Sequence, residues 1–267
     1  MSVHIRQLLE HLDRLAPPEL AEAWDNVGLI VGANGQEVDN VLVCLDVTLA
    51  ALDEAISKDC QAIVSHHPPI FKPLARIDLD DASGVMVRTA LVHRMALIAC
   101  HTNLDSATGG VSDALASVLG LRETRPLQSA AGHTGAGLGR IGRFAEPVSA
   151  GEFLRRVAAA TANTALPIAG NLPETITTVA VCGGSGSEFA PLARRLGADV
   201  YLSGEIKHST ALWARENGFC LIDGGHWGTE HQAVDILTTW LEKLTGIAVH
   251  RAETERPAFN LVGCLTA

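Results

Sequence analysis

The feature that most constrains this chain is a recurring alternation of short apolar, β-rich runs with helical patterns. Residues 41–46 (VLVCLD) read as a strand, 49–57 as a helix, 62–65 as a strand, 84–94 as a helix and 96–99 as a strand. That order specifies βαβ units, and so a mainly parallel sheet covered by helices. The order then recurs, with strands over 178–182, 200–203 and 219–223 and helices over 188–196 and 209–217. Cys44 falls on Cys182 and Ser65 on Ser203 at one constant spacing, while Ile98 falls on Ile222 at a shorter one. Any two βαβ units look somewhat alike, but a spacing held across strand, helix and strand favours internal duplication. The expected architecture is two three-layer α/β domains, 1–129 and 130–267, joined near the glycine-dense stretch 130–142 (AAGHTGAGLGRIG).

Gly137, Gly139 and Gly142 within that stretch spell GxGxxG. A dinucleotide site needs a helix to start there, whereas strand-like residues and Pro147 follow. The stretch reads as a turn-rich strand, with Ser149 and Glu152 as a capping box for the next helix. At the start of the chain, Ile5, Leu8, Leu9, Leu12 and Leu15 have amphipathic helix spacing, not the apolar block of a signal peptide. No apolar run approaches the ~20 residues that span a bilayer. The six cysteines (44, 60, 100, 182, 220 and 264) contain no CxxC pair and sit mostly in apolar runs, which predicts buried thiols in a cytoplasmic protein. A net charge of −10 argues against nucleic acid as the main partner.

Three polar clusters follow predicted strands. Ser65-His66-His67-Pro68-Pro69 places two imidazoles at a strand mouth, with two prolines restricting the turn. A lone histidine is usually structural; a pair followed by Pro-Pro at a strand end favours function. His101-Thr102-Asn103-Leu104-Asp105 follows the next strand and reads either as a capped turn or as a second group of ligands. Asp223-Gly224-Gly225-His226-Trp227-Gly228-Thr229-Glu230 ends the equivalent strand of the second half. His226 and Glu230, four apart ahead of a strongly amphipathic helix, share one face there. His66, His67, His226, Asp105 and Glu230 make a mixed nitrogen and oxygen set suited to zinc, iron, manganese or nickel, whereas calcium wants oxygen alone. Five ligands are too many for one open catalytic ion and fit two divalent ions sharing a carboxylate.

Residues 24–29 (WDNVGL), 45–48 (LDVT), 65–71 (SHHPPIF), 101–105 (HTNLD), 183–187 (GGSGS), 201–205 (YLSGE) and 223–230 (DGGHWGTE) together resemble the Nif-three-like family, whose members are often labelled GTP cyclohydrolase 1 type 2 homologues. The resemblance spans nearly the whole chain and implies two interlinked α/β domains in a short form without an inserted middle domain. It implies a homohexameric ring, metal ligands at His66, His67, Asp105, His226 and Glu230 with Glu230 bridging, and His101 close to the metals. Two functional readings follow. One is a metal-dependent hydrolase acting on a nucleotide such as GTP, with His101 as the catalytic proton shuttle and Gly183–Ser187, Lys207, Arg140 and Arg143 as candidate phosphate donors. The other is a non-catalytic metal-binding scaffold working through protein partners.

Overall fold

A computed structural model describes residues 2–259; Cys264 and the final GCLTA segment lie outside the described residues. In chain order the first half runs β1 (Val3–His4), α1 (Ile5–Leu12), β2 (Gly28–Val31), β3 (Glu37–Val38), β4 (Asn40–Cys44), α2 (Leu49–Ser57), β5 (Ala62–Ser65), α3 (Ala82–Val92), β6 (Ala96–Ala99), α4 (Thr102–Ser106) and α5 (Val111–Leu119). The second runs β7 (Arg122–Ser129), β8 (Gly137–Ser149), α6 (Ala150–Thr161), β9 (Ile168–Ala169), β10 (Thr175–Ser185), α7 (Ala190–Arg195), β11 (Val200–Gly204), α8 (His208–Glu216), β12 (Cys220–Asp223), α9 (His226–Glu230), α10 (Gln232–Leu241) and β13 (Ala248–Arg251). None of the described helices is long and apolar enough to cross a membrane.

The five-stranded sheet has the order β13-β4-β5-β6-β2, with only β2 antiparallel to its neighbour. Its strands alternate in the two-residue period of a pleated strand. Val41 and Val43 point to one face, against Ile5, Leu8 and Leu12 of α1 and Val234, Leu237 and Leu241 of α10. Leu42 points to the other, against Leu52 and Ala55 of α2 and Met86, Val87 and Ala90 of α3. Burying each such Leu, Val or Met side chain contributes about 1.5–3 kcal/mol, so both faces bind their helices firmly.

The six-stranded sheet, β7-β8-β10-β11-β12-β9, is mixed: its centre, β10-β11-β12, is parallel and its flanks are antiparallel. The antiparallel flank follows from the short link between β7 and β8, since a parallel pairing would need a crossover helix. The glycine-rich GxGxxG stretch is therefore strand β8, as its sequence predicts. Ser149 caps α6 by accepting from Glu152 N at 3.3 Å, but Glu152 turns to Arg155 and Arg156 and does not close a capping box. Phe153 and Val157 of α6 cover one face of this sheet together with Leu115 and Leu119 of α5. Ala190 and Ala193 of α7 and Ala214 of α8 cover the other.

The two halves are thus interlinked three-layer units: α5 of the first half covers the second sheet, while α10 and β13 of the second half complete the first. Val43, Val64 and Ile98 are in register across the first sheet, and Val181, Leu202 and Ile222 across the second, the same positions that the repeat alignment superposes. The five described cysteines, 44, 60, 100, 182 and 220, are free and buried.

Candidate metal centre

Each site residue sits where a parallel strand runs out of partners. Beyond β5 the ladder continues for two steps, His66 N donating to Cys44 O and His67 N to Leu45 O, before the prolines end it. Beyond β6 the chain bends at His101 into the short helix α4, which carries Asp105. Beyond β12 the Asp223 carboxylate accepts the amides of Ile206 and Gly225, each at 2.8 Å, and Gly225 turns with φ +75° into α9. One helical turn then lays His226 Nε2 2.8 Å from Glu230 Oε2.

These residues converge. His67 Nε2 lies 2.9 Å from Glu230 Oε2 and 3.2 Å from His226 Nε2. His66 Nε2 lies 3.6 Å from Asp105 Oδ1 and 3.9 Å from Glu230 Oε1. Three groups of possible ligand atoms result: His67 with His226 and Glu230, His66 with Asp105 and Glu230, and His66 with His67 and His101. Glu230 belongs to the first two.

The far nitrogen of each imidazole faces an acceptor. His66 Nδ1 donates to Cys100 O at 2.8 Å, His67 Nδ1 to Asp46 Oδ1 at 2.8 Å and His101 Nδ1 to Asp25 Oδ1 at 2.8 Å. Because a carbonyl can only accept, the His66 proton sits on Nδ1 and the lone pair on Nε2. This is how proteins orient and strengthen metal-binding histidines. His226 Nδ1 lies 3.2 Å from Glu205 Oε1 without hydrogen-bond alignment.

Electrostatics marks the same spot. Burial opposes ionisation of Glu230, yet His226 and His67, at 2.8 and 2.9 Å, hold its carboxyl well below the usual range. Burial pushes Asp105 up, and His66 offsets this only partly. His67 resists burial and rises to about 10, because Asp46 and Glu230 flank it. His66 Nε2 and Asp105 Oδ1 are buried and have no hydrogen-bond partner among the described residues. A buried polar atom without a partner costs ~1–3 kcal/mol. One lone pair and one carboxylate oxygen that both lack a partner and face each other fit a cation between them.

Glycines make room. A Cβ on Gly184, which holds φ +60°, would stand 1.9 Å from Glu230 Oε1, and one on Gly183 would stand 3.2 Å from Glu230 Cγ. The Gly183–Ser187 loop is therefore a wall behind Glu230. Two of its amides are occupied, Gly184 N donating to Thr229 Oγ1 and Gly186 N to Ser203 Oγ, while Gly183 and Ser185 line the cleft. Arg140 drops out as a phosphate donor. It is buried and spends its guanidinium on Asp113 and the carbonyls of Gly137, Gly139 and Ala107. Arg143 pairs with Glu123 on the outer sheet surface, and neither it nor Lys207 lines the cleft. That cleft, of about 1130 Å³, opens beside the cluster and is bounded by His67, His101, Asp105, His226 and Glu230.

Residues 3–257 match the family described as Duf34/NIF3 (NGG1p interacting factor 3). The chain belongs to this family. A Clostridium acetobutylicum family protein named GTP cyclohydrolase 1 type 2 homolog is 32% identical over 258 residues, covering 96% of this chain and 95% of that one. A Streptomyces coelicolor protein of the same name is 34% identical over 246 residues, covering 90% and 86%. Among solved structures, a hypothetical protein of Staphylococcus aureus superposes with a TM-score of 0.87 at 29% identity, covering 97% and 99%. A Bacillus cereus protein related to NIF3 shares the fold with a TM-score of 0.88 at 24% identity, covering 97% and 99%. The match to a Bacillus subtilis relative runs over 370 positions, more than the 267 residues present here, so this chain is a short family member.

The structure brings together all six residues singled out in the sequence of this Duf34/NIF3 protein. The sequence reading gives no role to Asp46, Asp25 and Glu205, which face the outer nitrogens of His67, His101 and His226. Their signal was present: each is an acidic residue next to a strand end or inside a quoted motif.

Proposed function

We propose that this chain is a divalent-metal-dependent hydrolase holding two ions that share Glu230. His67 and His226 complete one ligand set, and His66 and Asp105 the other. The observation that carries the reading is the pair of buried, unpartnered atoms that face each other, His66 Nε2 and Asp105 Oδ1, with Asp105 itself lining an open cleft. The nitrogen and oxygen donors suit zinc, iron, manganese or nickel. Divalent ions bound there supply Lewis acidity and make water a stronger acid.

The chain's own groups do the rest. Asp46, Asp25 and Cys100 O fix which imidazole nitrogen faces the cleft. His101, held through Nδ1 by Asp25, keeps Nε2 free to take a proton from attacking water and return it to a leaving nitrogen. The name of the relatives suggests a purine ring as the substrate, with water entering at C8 of guanine and formate leaving. A cleft this large beside the cluster favours turnover over a purely scaffolding role. We further read the working form as a homohexamer, which light scattering checks against six copies of the 28.1 kDa chain.

The test is formate release by metal-loaded protein offered guanosine and GTP side by side. His101→Ala is expected to keep its metal and to lose ~10²–10⁴-fold in turnover. An unaltered rate removes His101 from the chemistry, and no formate from well-loaded wild-type protein removes the purine reaction.

A further inference from the structure

Among the described residues, two aromatic rings of the cleft stand exposed. Trp24 is 59% exposed and Phe71 45% exposed, and both line the cavity. Their ring centroids stand 5.6 Å apart at a tilt of 55°, and each lies 6.2 Å from the His101 ring. Single exposed apolar residues are ordinary, but two that meet at a cavity mouth mark a binding surface. The rings are also held in place. Next to Trp24, Asp25 binds His101 and Thr102, and Asn26 Nδ2 donates to Ile70 O at 2.6 Å, which ties the Trp24 loop to the Phe71 loop. A ligand stacking there finds a surface already ordered.

Carboxylates dominate the lining of the cleft, alongside the imidazoles of His67, His101 and His226. Besides Asp105 and Glu230 its walls carry Asp46, Asp223 and Glu205. Glu22 and Glu188 add two more carboxylates, and among the described residues no lysine or arginine lines it. Two divalent ions would bring four positive charges against these seven acidic groups. Such a lining repels a polyanion and tolerates a neutral or cationic ligand.

We propose that the cleft recognises its substrate through a planar ring stacked on Trp24 and Phe71, and that its acidic walls select an uncharged or cationic heteroaromatic, a nucleobase or nucleoside, against a nucleoside triphosphate. The inference rests on the hydrolase reading for the chemistry that follows binding, but recognition itself belongs to these side chains.

Calorimetric titration of the full chain with guanosine, guanosine monophosphate and GTP tests it, with and without bound metal, metal content being read by elemental analysis. Affinity should fall with each added phosphate, guanosine binding ~10-fold or more tighter than GTP, and the gap should narrow as salt screens the walls. Trp24→Ala should weaken guanosine binding on the order of tenfold or more while metal content stays the same. Trp24→Phe should restore most of that loss. Three results overturn the proposal: GTP binding more tightly than guanosine, which is what basic residues from a second copy would produce; no guanosine binding; or guanosine binding indifferent to both Trp24→Ala and Phe71→Ala. A chain that takes up no metal yet still prefers guanosine sinks the metal reading and leaves this one standing.

Discussion

The two halves of this molecule use one strand plan for different ends. In each, three parallel strands (β4-β5-β6 and β10-β11-β12) are flanked by an antiparallel edge strand, β2 or β9. In each, the third strand feeds a five-residue helix, Thr102–Ser106 or His226–Glu230, and each helix delivers one carboxylate to the cluster, Asp105 or Glu230. The middle strands differ. Where the first half places His66 after Ser65, the second places Gly204 after Ser203, and a Cβ on Gly204 would meet His226 N at 2.8 Å. The first half therefore contributes three imidazoles, and the second contributes space, one imidazole and Glu230, which belongs to two of the three groups of possible ligand atoms. The two strand plans meet in one cluster, and glycines of the second half make room there for its own His226 and Glu230.

That division of labour can be broken from either side, and the largest effect is expected where both halves are cut. His66→Ala combined with Glu230→Ala should lose both ions by elemental analysis, while circular dichroism reports an intact fold, since neither residue belongs to the apolar clusters that hold the sheets. Full metal content in that variant would refute the ligand assignment.

The glycine wall gives the next effect. Gly184→Ala should displace Glu230, because the added methyl meets its carboxylate and the backbone holds φ +60°. Metal uptake should fall sharply, and stability should drop by about 1–3 kcal/mol in chemical denaturation. Gly151→Ala, on the exposed start of α6 with only Arg155 nearby, is the control and should be neutral or slightly stabilising. Equal behaviour of the two variants would show that the wall does not matter.

The smallest effect concerns how the chain end is tied to the first half. Glu54 of α2 accepts the amides of Glu253 and Thr254, the Thr254 hydroxyl and Lys58 Nζ. Burial works against its ionised form, but these donors win and hold its carboxyl at about 2, down from 4.5. A depressed carboxyl contributes stability that is fully present above pH ~4.5 and is lost as pH falls through the folded value. Glu54→Gln should therefore cost about 1–2 kcal/mol at neutral pH. The gap to wild type should close as urea melts are taken down towards pH 2, and a gap that is constant with pH would contradict the assignment.

Much of this was legible in the chain. Helix 49–57 and strands 62–65 and 96–99 fall within the predicted bounds, the strands because short apolar runs mark them. The residues of the cluster were legible because polar residues at the mouth of an apolar strand have few structural reasons to be there. The edge strands β2, β9 and β13 were not, since they are short and take their register from partners distant in sequence. Nor were the roles of Asp46 and Asp25, which depend on which imidazole nitrogen each one faces. Arg140 misled for a similar reason: an arginine looks free in sequence, and only folding shows Asp113 beneath it.

The most direct test of the shared centre is anomalous diffraction from crystals of metal-loaded protein, collected on either side of the metal's absorption edge. The account predicts two peaks per chain, both within bonding reach of Glu230, one beside His67 and His226 and the other beside His66 and Asp105. A single peak, or peaks away from Glu230, would contradict it.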